Sequence, residues 1–365
     1  MAAPRTLLLT PGPLNTSLET RQSCLVDYGS RDRAFNDLNT TIRASLLDIA
    51  NGKNDYVCVP LQGSGTFAVE ATLCTLLGRA AKILILINGQ YGERMRTICT
   101  RAGRATAVLR VPENRTFTED DVTACLASDS AITHMAVVHC ETTTGIKNPI
   151  DMVARVAQAA GKKLIIDAMS SFGALEVDLQ ALACTAVVLS SNKCLEGIPG
   201  LGISLVRKAD LAACEGNCTS LSLDLYDQWR NFESVGQWRF TPPTHVIAAF
   251  ASALAQFVRE GGQPARLARY EENKARQVAR MKKIGFQLYL EESANAPIIV
   301  TYLCPEHNFV FSEFYSRLRD KDIVIYPGKL TGANTFRLGC IGQLYPADMD
   351  LAIDAIEAVK TDMGF

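Results

Sequence analysis

Lys193 stands just beyond the apolar run Ala186–Leu189, after two serines and an asparagine, and a loop with Gly197, Gly200 and Gly202 follows it. Lysine is normally a solvated surface residue. At the exit of a buried strand, with no acid before Glu196, it has the placement of a reactive amine able to condense with a carbonyl. The plain alternative is a surface lysine at a strand exit. Asp167 closes a second apolar run, KKLIID, 26 residues earlier; alone it reads equally well as a helix N-cap. If both runs are strands of one parallel sheet, both side chains emerge at its carboxyl edge, where α/β folds bind ligands. There a carboxylate can keep a heteroaromatic ring nitrogen protonated while the lysine holds an aldehyde.

Other residues fall into the same pattern. Gln62-Gly63-Ser64-Gly65-Thr66 joins a strand to a helix, and backbone amides with the hydroxyls of Ser64 and Thr66 make a cradle for an anion such as phosphate. Gly63, Gly65 and Ala68 also match G-x-G-x-x-A, the fingerprint of an NAD-dependent oxidoreductase, but that fold wants an acid at the end of the next strand and Asn88 stands there. Thr142, in the loop Glu141–Gly145, offers a hydroxyl at the same edge. Tyr91 could stack on a flat ring, or simply pack. Arg337 is a charge inside the apolar strand Thr335–Gly339, suited to gripping a carboxylate or phosphonate, or to a structural ion pair.

The elements that must position these residues follow a strand–turn–helix rhythm. Strands are expected at Tyr56–Leu61, Ile83–Ile87, Ala105–Arg110, His134–His139, Lys163–Ile166 and Ala186–Leu189, with amphipathic helices between. Continuous apolar strands alternating with helices predict an α/β fold with a parallel sheet covered on both faces. Residues 1–30 read as an extended arm, 31–244 as a large domain and 245–365 as a smaller α+β domain.

With 48% apolar and 21% charged residues and a mean hydropathy of +0.07, the 365-residue chain has a globular composition. A net charge of −1 gives no support to a nucleic-acid binder or a membrane-surface protein. The opening MAAPRTLLLTPGPL lacks the apolar run of a signal peptide. The twelve cysteines are scattered singly, as expected of buried thiols in a reducing compartment. A cytoplasmic location is the expectation, and no metal site is expected.

Taken together, TPGPL (10–14), LQGSGTF (61–67), NGQYGERM (88–95), HCETTTGIKNPI (139–150), IIDAMSSFGA (165–174), SSNKCLEGIPGLG (190–202), WRFTPPTH (238–245) and FRLGCIG (336–342) resemble the fold-type I aminotransferases that use pyridoxal 5'-phosphate. Within them the chain is similar to the alanine–glyoxylate/serine–pyruvate group, and most of all to the 2-aminoethylphosphonate–pyruvate transaminase family. The resemblance spans nearly the whole chain. It implies that Lys193 anchors the cofactor, Asp167 holds its ring nitrogen, Thr142 its phenolic oxygen, and Tyr91 stacks on its ring. It implies further that Ser64, Gly65 and Thr66 bind the phosphate, that Thr241 reaches it from the second subunit of a homodimer, and that Arg337 grips the substrate's acidic group. Tyr28–Asp32 would line the entrance. The expected substrates are the small molecules 2-aminoethylphosphonate and pyruvate.

Overall fold

The strand Lys82–Ile87 explains the architecture around it. Leu84 and Leu86 point into one apolar cluster, and Ile83, Ile85 and Ile87 into another. A strand buried on both faces needs a covering layer on each. The computed structural model describes residues 5–328, 330 and 332–365. It places this strand in a seven-stranded sheet ordered Tyr56–Gln62, Leu201–Arg207, Ala186–Ser190, Lys163–Asp167, His134–Val138, Lys82–Ile87, Ala105–Arg110. The last five pair in parallel, whereas Leu201–Arg207 runs antiparallel to both its neighbours. The helices Arg33–Ile49, Ile150–Ala159 and Thr244–Glu260 feed the cluster on one face, and Gly65–Leu76 and Gln90–Arg101 that on the other.

The remaining chain builds a second, smaller core. A three-stranded antiparallel sheet, Ile299–Leu303, Thr335–Gly339 and Tyr326–Pro327, packs with the helices Gly262–Lys283, Phe311–Arg319 and Pro346–Met363. Phe286, Tyr302, Phe309, Phe314, Phe336 and Phe365 form one aromatic cluster there, with ring centroids 5.1 to 6.5 Å apart.

The α/β fold and its mostly parallel sheet match the expectation, with local departures. Leu201–Arg207 is a strand that the glycines before it conceal, and a short apolar run carries little periodicity to reveal it. The arm is not extended throughout: Ser17 caps a short helix, Leu18–Gln22, accepting from the Thr20 amide at 2.9 Å. Residues 286–290 have a strand-like sequence but make an isolated bridge, Leu288 to Tyr302, and no regular strand. As the sequence leads one to expect, the helical pattern from His245 to Lys283 is interrupted at its glycines: Gly261, at φ +110°, ends one helix and starts the next.

Candidate active site

Four neighbouring parallel strands deliver polar groups to one carboxyl edge: Lys193 after Ser190, Asp167 on its own strand, Glu141 and Thr142 after Val138, and Asn88 after Ile87. A cavity of about 180 Å³ opens there, lined among others by Ser64, Gly65, Thr66, Tyr91, Asp167 and Lys193. Six of the residues singled out in the sequence therefore share one space.

The floor of the site is desolvated acid. Asp167 is buried and accepts the Met169 amide at 2.9 Å. Burial pushes its carboxyl up to about 6; the Met169 bond opposes this, the charge of Glu141 adds to it, and Arg94 and Lys193 pull it back. Glu141, also fully buried, is raised by desolvation. It accepts the Tyr91 amide at 3.1 Å, at the start of the helix Gln90–Arg101, and the Thr143 hydroxyl at 2.6 Å. A carboxylate at a helix N-terminus suits the helix dipole, and here it fixes where Tyr91 sits. Gly89 makes room for it, since a Cβ there would stand 2.3 Å from the Glu141 side chain.

The amine is held as closely. Lys193 Nζ donates to the Pro11 carbonyl at 2.6 Å. Gly12, at φ +110°, passes so near that a Cβ would lie 2.7 Å from the lysine's Cδ and 2.8 Å from the Asn192 carbonyl oxygen. The TPGPL arm is thus a wall of the site.

Opposite, Ser64 precedes the helix Gly65–Leu76 in extended conformation, yet its hydroxyl makes no capping bond. The first N–H groups of that helix lack a side-chain cap where Ser64, Gly65 and Thr66 line the cavity, which is a seat for an anion. Arg94 completes it: its guanidinium lies 4.7 Å from the Tyr91 ring centre and donates to Thr66 Oγ1 at 3.0 Å. Sequence reasoning passed over Arg94, although its position three residues after Tyr91 on one helix puts both on one face.

Thr142 and Arg337 are not among the residues that line the cavity, but both lie near Tyr91, which does. The Thr142 hydroxyl is buried close to the Tyr91 phenol, and among the described residues it makes no well-formed hydrogen bond. Arg337, fully buried, donates through Nη1 to the Thr142 carbonyl at 2.6 Å, and through Nε and Nη2 to the Pro327 carbonyl at 3.0 and 2.8 Å. A freely swinging side chain would not be tied this way. Among the described residues, one N–H on each terminal nitrogen remains uncommitted. Thr241 lies farther off: it is exposed and lines a different cavity, of about 320 Å³, with Ser30 and Arg31.

These residues fit pyridoxal phosphate. An uncapped helix end would suit the phosphate, a buried carboxyl the ring nitrogen, a buried hydroxyl the phenolic oxygen and an amine the aldehyde. By contrast Asn88, where a dinucleotide fold would carry an acid, is spent on reciprocal amide bonds with Asn148 at 2.8 and 3.0 Å.

Comparison with known proteins agrees. The aminotransferase class-V family model matches residues 27–334. A 2-aminoethylphosphonate–pyruvate transaminase of Pseudomonas entomophila is 50% identical over 358 residues, covering 98% of this chain and 97% of the relative. That of Pseudomonas fluorescens is 50% identical over 363 residues, covering 99% and 98%. In fold, the alanine–glyoxylate aminotransferase of Nostoc sp. superposes with a TM-score of 0.92 at 24% identity, covering 98% of this chain and 96% of that one. Pyridoxamine–pyruvate aminotransferase of Mesorhizobium loti gives 0.91 at 24%, covering 100% and 95%. The chain belongs to the class-V aminotransferases, pyridoxal-phosphate enzymes of fold type I.

Proposed function

We propose that the protein transfers the amino group of 2-aminoethylphosphonate to pyruvate, giving phosphonoacetaldehyde and L-alanine in two half-reactions. The observation that carries this is the convergence of Lys193, Asp167 and an uncapped helix N-terminus on one cavity, in a chain half identical to transaminases named for that reaction. When bound, pyridoxal phosphate supplies an aldehyde that captures amines and a ring that absorbs electrons. The protein's residues supply the rest. Lys193 anchors the cofactor and, once displaced by the substrate amine, is the base at Nζ that removes a proton from the amine-bearing carbon. Asp167 keeps a proton on the ring nitrogen. Thr142 donates to the phenolic oxygen, Tyr91 covers the ring, and Ser64, Gly65 and Thr66 hold the phosphate.

Arg337 is the proposed grip on the substrate anion. Its two uncommitted N–H groups suit one tetrahedral phosphonate in the first half-reaction and one planar carboxylate in the second. The amine-bearing carbon of 2-aminoethylphosphonate has no carboxylate, so decarboxylation does not compete with proton removal.

Thr241 is proposed to reach the phosphate of a partner subunit in a homodimer. Its exposure, and its position apart from its own chain's cavity beside Ser30 and Arg31, support that arrangement. We place the protein in the cytoplasm: among the described residues all twelve cysteines are free thiols and no helix is long and apolar enough to cross a membrane. We further propose an N-terminal arm of residues 1–30 followed by a large and a small domain. Because Ile247, Phe250 and Phe257 pack in the large core, the packing favours a junction at Gly261 over one at His245.

The test is an absorbance titration of the cofactor-loaded protein with 2-aminoethylphosphonate alone. Bleaching of the visible band, restored by pyruvate, is the expected result. Bleaching only with alanine or serine would support the second reading, an alanine–glyoxylate or serine–pyruvate aminotransferase, the class of the Nostoc structure. No visible band after adding pyridoxal phosphate would end both.

A further inference from the structure

Glu196 lies three residues past Lys193 and has no part in the chemistry above. Its φ is +56°, a left-handed conformation that a residue with a Cβ adopts only when its surroundings impose it. Glycine would sit there without strain, yet the chain carries a glutamate whose side chain is only 4% exposed.

The carboxylate is gripped from two distant segments. On Oε1 it accepts Arg269 Nη2 at 2.8 Å and Tyr270 Oη at 2.6 Å, both from the helix Gly262–Lys283. On Oε2 it accepts Gln343 Nε2 at 2.6 Å, from the segment that follows the Arg337 strand. Arg266 Nη1 lies 3.6 Å from Oε1 and donates to the carbonyl of Cys194, the residue next to Lys193. Arg269 also donates to the carbonyls of Gly342 and Leu344. Both arginines pair in addition with Glu260, so two cations face two carboxylates. Within the turn, the Glu196 amide donates to the Lys193 carbonyl at 2.8 Å.

We propose that Glu196 is a positioning residue for Lys193. Its carboxylate locks the turn that carries the lysine and, through Arg269 and Gln343, fixes that turn against the chain leaving the Arg337 strand. The proton-moving amine and the anion-gripping guanidinium are thereby held in one frame. A buried ion network that served only to join the two cores would leave the lysine's behaviour unchanged when it is loosened. This inference rests on Lys193 being the cofactor lysine.

The experiment uses the pyridoxal-phosphate-loaded protein with Glu196→Gly, which relieves the backbone strain and removes the grip. The expected result is kcat lower by roughly tenfold or more, with KM for 2-aminoethylphosphonate within about twofold. The pH midpoint of the visible absorbance band, which follows the protonation of the lysine-linked cofactor, shifts by about half a unit or more. A folded variant with wild-type kcat and midpoint overturns the proposal. Should loss of the carboxylate prevent folding, Gln343→Ala decides: a fall in kcat of about threefold with a midpoint shift supports the proposal, and neither change overturns it. Lys193→Ala is the control: if it keeps the visible band and turnover, the lysine reading itself fails, independently of Glu196.

Discussion

The carboxyl edge of the large sheet and the aromatic core of the small sheet are both buried, and they are built on opposite rules. In the aromatic core nearly every contact is satisfied: Phe314 alone meets Phe286, Phe309, Phe336 and Phe365. At the sheet edge, Asp167 and Glu141 are acids raised by desolvation, and among the described residues the Thr142 and Ser190 hydroxyls have no hydrogen-bond partner. Burying polar groups incompletely paired costs stability. At the sheet edge that cost falls where a ligand can complete the missing bonds, although buried polar atoms without a partner also occur away from it, as at Trp229 and Thr335.

The sharpest way to break this contrast is at the lysine. Lys193→Ala is expected to lower turnover by on the order of 10³-fold or more and to abolish the visible band, while the thermal midpoint of the cofactor-free protein stays close to wild type. A variant with normal turnover would erase the distinction between edge and core. At the other pole, Phe314→Ala empties a fully buried site among four rings and should cost about 3–5 kcal/mol in denaturant unfolding. The folded fraction should keep its kcat; a matching loss of kcat would show that the two regions are not separable.

Asp167 gives a pH-dependent version of the test. The folded protein holds its proton more tightly than the unfolded chain, with the carboxyl moving from 3.8 to about 6. Cofactor-free stability should therefore fall as pH rises from about 4 through 6 and then level off, by on the order of 3 kcal/mol. Glu141 contributes in the same direction. Asp167→Asn should flatten most of that slope in urea midpoints while abolishing most activity; an unchanged slope would refute the desolvation account. The smallest effect is expected at Thr142→Val, which removes the orphaned hydroxyl at nearly constant volume. Cofactor-free stability should move by less than about 1 kcal/mol, and pyridoxal phosphate affinity should fall roughly fivefold to tenfold in a binding titration.

Much of the edge was legible because its signals are local. An apolar run ending in Asp167 or leading to Lys193, and a glycine turn before a helix, declare themselves within a few residues. Arg94 was legible in principle from its spacing to Tyr91. Glu196 was not: in sequence it is only the first acid after the lysine, and nothing near it reveals that Arg269 and Gln343 will close on its carboxylate.

The sequence by itself determined the α/β alternation, the parallel strands and the pairing of an acid with an amine at their ends. Side-chain periodicity and turn chemistry act over a single element, and those features need nothing more. Tertiary structure alone decided that Pro11 and Gly12 would wall in Lys193, that Arg337 would be tied to Thr142 and Pro327, and that Glu141 would seat Tyr91. Each of these joins segments distant along the chain. Such contacts exist only once the burial of two cores has brought the segments together, so no local pattern can encode them.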